Sequence, residues 1–93
     1  MTAEQLENFH LALLQVLDTN AGSQFGLAVP TLKVFVQTRG FRVVDTEVEA
    51  AMNYMTDKEI GFVQTVDKGQ FNPAHVCWKI TARGINHLRA RGL

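Results

Sequence analysis

The side chains best equipped for chemistry fall into two groups. The first is Cys77 with His75 and His87. A thiol becomes a nucleophile when a histidine within hydrogen-bond reach is itself oriented by a third group. Cys77 and His75 stand two apart in "HVCWKI", a strand-like run, so alternation places both on one face about 7 Å apart, with no orienting acid beside them. Three scattered histidines and one cysteine do not make a zinc spacing either. "GSQFG" lacks the Lys-Ser/Thr that a nucleotide loop requires. No catalytic residue, metal ligand or cofactor is therefore assigned. The chain is not expected to be an enzyme, and Cys77 is expected to be a half-buried structural thiol.

The second group is Arg39, Arg42, Thr46, Asn53, Tyr54 and Lys68. Asparagine can pair with an adenine edge, threonine and tyrosine can reach a phosphate, and arginine or lysine can neutralise one. Whether these side chains meet on one surface depends on the elements that carry them.

Leu6, Phe9, His10, Leu13, Leu14 and Leu17 recur at steps of three and four, which predicts a first helix. Thr2 followed by Gln5 predicts a capping box at its start, and the turn formers Asp18 to Gly22 end it. "QFGLA", Gln24 to Ala28, reads as a brief strand. Pro30 suits the first turn of a second helix, with Leu32, Phe35 and Val36 inward and Gly40 as its left-handed end. Asp45 is placed to cap a third helix, with Val48, Ala51, Met52 and Met55 on its inner side. "IGFVQTV" and "HVCWKI" read as strands joined by "DKGQFNPA", with Val76, Trp78 and Ile80 sharing a face. Thr81 caps a last helix anchored by Ile85 and Leu88.

The resulting order is helix, short strand, helix, helix, two-stranded wing, C-terminal helix. That is an α+β chain forming one winged helix-turn-helix domain over residues 1–93. Its 93 residues and 46% apolar share suit a single small core. No apolar run approaches the roughly 18 residues of a membrane span. "MTAEQLENFH" does not read as a secretory signal, and the lone cysteine points to the cytoplasm.

Net charge is zero but unevenly spread. Residues 1–67 hold four cations against nine acids, a net of −5, whereas residues 68–93 hold five cations and no acid. A neutral chain lacks the basic balance of tight DNA binders. Its polarity suits DNA contact, head-to-tail association, or nothing more than two solvated faces.

"RGFRVVDTEVEAAMNYMTDKEIGFVQ" resembles the winged-helix run in which a glycine ends helix two, helix three follows, and an apolar pair opens the wing. "CWKITARGINHL" is similar to the W-x-I-T-x-x-G-x-x-x-L ending of many small winged-helix regulators. The compact size is similar to small winged-helix proteins of Mu-like prophages. The superfamily implies double-stranded DNA binding often, and protein binding in some members. It also implies dimer contacts from the first and last helices.

The third helix presents Thr46, Glu49, Ala50, Asn53, Tyr54 and Asp57 outward, with no lysine or arginine among them. Asn53 reads as an adenine contact, and Thr46 and Tyr54 as phosphate contacts. Arg39, Arg42 and Lys68 supply flanking charge, for a salt slope of about −3 per chain. The bland alternative is a solvated acidic face. Arg83, His87 and Arg91, four apart, form a ridge on the last helix for an anion or partner, or simply complement the helix dipole. Leu11 and Val16 exceed what one core face needs and are the expected homodimer contacts. Two functions are carried forward: a transcriptional-regulator-like DNA binder of modest affinity, or a protein-interaction module that kept the fold and lost its DNA face.

Overall fold

A computed structural model describes residues 1–22, 26–66 and 76–93. The elements run α1 (Ala3–Thr19), β1 (Leu27–Ala28), α2 (Val29–Thr38), α3 (Asp45–Thr56), β2 (Val63–Val66), β3 (Cys77–Ile80) and α4 (Ala82–Ala90). The chain is α+β, four helices with a three-stranded antiparallel sheet of order β1-β3-β2. Lys68, His75 and the rest of the β2–β3 connection lie outside the described residues, as do Gln24 and Phe25 of the expected first strand.

Local chemistry accounts for most helix ends. The Thr2 hydroxyl accepts from the Gln5 N–H at 3.1 Å, and Gln5 Oε1 accepts from the Thr2 N–H at 2.9 Å, so two otherwise orphaned donors are satisfied. Pro30 sits in the first turn of α2, where its missing N–H is no loss. Gly40 follows α2 at φ +93°, a conformation that a side chain would strain. The start of α3 departs from expectation. Val44 is the cap residue and Asp45 is already helical, with its carboxylate 3.0 Å from Lys33 Nζ. The Val44 N–H is satisfied instead by Glu47 Oε1 at 3.1 Å. A glutamate at the third helical position can do this without any acceptor on the cap residue.

Packing against α2, α4 and β3 surrounds α1 with partners. Phe9, Leu13, Leu14 and Leu17 face Leu32 and Val36 of α2, Val48, Met52 and Met55 of α3, Trp78 of β3 and Leu88 of α4 in one core. Phe9 also lies 5.6 Å from the Phe41 ring, centroid to centroid.

Burial corrects four sequence expectations. Leu11 is 8% exposed and Val16 1%, so neither is available for a dimer contact, because the C-terminal half of α1 is covered on several sides at once. Leu6, expected inward, is 43% exposed. Phe35 is 40% exposed, and Val29 joins Leu32 and Val36 against the core instead, one helical turn before Leu32. Cys77 is fully buried rather than half-buried, since β3 is the middle strand, flanked there by Ala28 and Val66.

The β3–α4 corner is tied to the entry of β2. Thr81 Oγ1 donates to the Gly61 carbonyl at 2.5 Å and accepts from the Gly84 N–H at 3.1 Å. The Thr81 N–H donates to the Phe62 carbonyl at 3.0 Å. A Cβ on Gly84 would lie 2.3 Å from that same carbonyl oxygen and 2.8 Å from Ile80 Cγ1. The T-x-x-G spacing therefore has a packing cause: α4 starts against a backbone carbonyl, and only glycine fits.

Candidate functional site

Thr46, Glu49 and Asn53 are exposed on one side of α3, as the wheel predicts. The rest of the expected nucleic-acid face is dispersed. Tyr54 is exposed, but its ring stacks on His10 of α1, with centroids 5.2 Å apart and planes at 23°. Arg39 Nη1 donates to Gln15 Oε1 at 2.8 Å, which turns it towards α1. Arg42 is exposed and lines a shallow depression with Gln37, Gly40, Phe41, Val43 and Val44. Lys68 lies outside the described residues, and α3 itself carries no lysine or arginine, its first residue Asp45 being paired with Lys33 of α2.

The α4 ridge is engaged within the chain. Arg83 Nη1 lies 3.5, 3.4 and 3.3 Å from the carbonyls of Lys58, Glu59 and Ile60, the turn that follows α3. His87 stacks on Phe62, with centroids 4.3 Å apart and planes at 17°. Arg91 pairs with Glu7 of α1. Spacing of four puts the three residues on one face, as expected, but that face is laid over α1 and the β2 approach rather than offered freely to an anion.

What the dispersal leaves is a groove between α1, α3 and α4, of about 1010 Å³. Leu6, His10 and Leu14 form one wall, Ala50, Ala51 and Tyr54 the other, and Ile60, Phe62 and His87 close the α4 end. Leu14 and Ala51 are buried at its floor, while Leu6 and Tyr54 stand exposed at its edges. Glu7, Glu47 and Glu59 also line it, with Arg83 as the lining's cation. Burial lowers the pKa of His10 from its usual 6.5, so the imidazole bridging α1 and α3 is held neutral at pH 7.

Sequence reasoning missed this groove, although its traces are legible afterwards. Ala3, Leu6, Glu7, His10 and Leu14 of α1 and Glu47, Ala50, Ala51 and Tyr54 of α3 each follow the three-and-four spacing of a helix face. Two such rows with small residues between them form a channel only if their helices lie side by side.

Among the described residues, no cluster of His, Cys, Asp or Glu could hold a metal ion. No described helix is long and apolar enough to cross a membrane. Comparison of the chain with protein-family models, with curated proteins and with solved structures finds no match.

Proposed function

We propose that the chain is a single winged-helix domain acting as a protein-interaction module, with the α1–α3–α4 groove as its docking site. The element order and the β1-β3-β2 sheet support the winged-helix reading. One observation carries the docking reading. The groove of about 1010 Å³ exposes Leu6 and Tyr54 over an apolar floor, whereas the α3 side suited to DNA carries Glu49 and no cation. Phosphates repel such a side, and counterion release supplies most non-specific DNA affinity.

Binding of a random 30-base-pair duplex, followed by fluorescence anisotropy across a salt series, tests this. The expected result is no saturable binding at low salt. A salt slope near −3 per chain, reduced by about one unit in Arg42→Ala, would overturn it.

Double-stranded DNA is the second reading, favoured by Thr46, Asn53 and Arg42 being exposed together around the start and middle of α3. Under that reading Glu49→Lys raises duplex affinity. Under the docking reading it does not.

A further inference from the structure

We propose that the His10–Tyr54 stack is an acid-released strap across the groove, closed when His10 is neutral and open when it is protonated. This goes beyond the docking reading and does not depend on it, because the strap belongs to the chain alone, whatever the groove receives.

Position comes first. α1 packs on α2, α4 and β3, and α3 packs on α2 and β2. The N-terminal half of α1 stands opposite α3 across the groove, and of residues 3–10 only Phe9 is buried. The His10 ring laid on Tyr54, with centroids 5.2 Å apart, joins the two walls. Tyr54 is exposed, so the strap faces water on one side and shares its lining with the buried Leu14 and Ala51 on the other.

Chemistry comes next. Among the described residues, no hydrogen bond and no ion pair engages the His10 ring. A neutral imidazole stacked on an aromatic face tolerates that arrangement. A protonated one carries two N–H donors and a charge, and half-buried it gives up hydration that nothing in the closed strap replaces.

The charged groups around it are engaged elsewhere or oppose one another. Glu7 of α1 is paired with Arg91 of α4, and Glu47 of α3 accepts from the Val44 N–H. Glu59, in the turn after α3, shares the lining with Arg83 of α4 and the N-terminal Met1, and with His87, which stacks on Phe62. Burial is the cause that lowers the His10 pKa. A group whose folded pKa is lowered holds its proton more tightly wherever it is exposed. Falling pH therefore favours the conformation in which the imidazole has left Tyr54 for water. The tyrosine face attracts a cation and acts against release, so the measured sign of the His10 shift decides between the two effects.

Nuclear magnetic resonance on the full chain, titrated from about pH 8 to about pH 5, tests the strap. His10 should titrate below 6.5, and the ring cross-peak between His10 and Tyr54 should lose about half its intensity or more with the same midpoint. The Trp78 indole signal should keep its folded position throughout, since the core stays closed. His10→Phe keeps a stacking ring and removes the titration, so its cross-peak with Tyr54 should persist across the whole range. Tyr54→Ala, at an exposed position, should move the His10 midpoint back towards 6.5. A cross-peak that survives His10 protonation overturns the strap, and so does one that fades equally in His10→Phe. A midpoint at or above 6.5 overturns it as well, because the tyrosine face would then be holding the cation. Loss of the Trp78 signal together with the cross-peak would mean that the whole chain unfolds, which also overturns a local release. A midpoint unmoved in Tyr54→Ala removes Tyr54 as the partner and the strap with it.

Discussion

The two halves of α1 carry similar apolar stripes and meet different fates. From Leu11 to Leu17 every residue but Gln15 is buried, because α2, α4 and β3 close around that half. From Ala3 to His10 only Phe9 is buried. Leu6 and His10 line the groove instead, with His10 stacked on Tyr54. Apolar spacing thus reports which residues favour burial. It does not report whether the chain itself supplies the cover.

Substitutions at the two ends put this contrast under load. Leu13→Ala, in the fully buried half, should cost about 2–5 kcal/mol, read from the midpoint of chemical denaturation. Gly84→Ala should cost about 1–3 kcal/mol, since the added methyl must push α4 away from the Phe62 carbonyl and so shift one end of the groove. A neutral result there would mean that α4 is less tightly seated than its geometry indicates.

His10 offers a pH test of the exposed half. Its folded pKa is lowered, so the unfolded chain binds the proton more readily and stability falls as pH drops below about 6.5. Replacing it, as His10→Gln, should flatten that part of the pH profile relative to the parent while leaving stability above pH 7.5 without a His10-dependent slope. Nuclear magnetic resonance should place the imidazole midpoint below 6.5. The smallest effect on stability is expected for Leu6→Asp, within about 0.5 kcal/mol, read from the same denaturation midpoint. A cost comparable to Leu13→Ala would show Leu6 to be a core residue and close the groove as a site.

Much of the scaffold was legible because it depends on neighbours in the chain. The Thr2–Gln5 box, Pro30, Gly40 and the Thr81 cap are satisfied within a few residues, and so are the boundaries they set. The buried side of α3, with Val48, Ala51, Met52 and Met55, follows from helical spacing alone. The site was less legible. A helical wheel gives a residue's angle on its own helix, and it placed Tyr54 correctly outward without showing that His10 waits beside it. The same limit applies to Arg83, His87 and Arg91, which share a face as expected while each meets a partner from a distant segment.

By itself, then, the sequence determined the α+β succession of elements, the caps of α1 and α4 and the inward side of α3, since these rest on backbone hydrogen bonds and on periods of two and 3.6 residues. Tertiary structure alone decided that Leu11 and Val16 are covered, that Leu6 is not, and that α1 and α3 stand far enough apart to leave a groove. The physical reason is that burial belongs to pairs of surfaces. A stripe of leucines is the same in the chain whether it meets another helix or water, and only the packing of distant segments settles which.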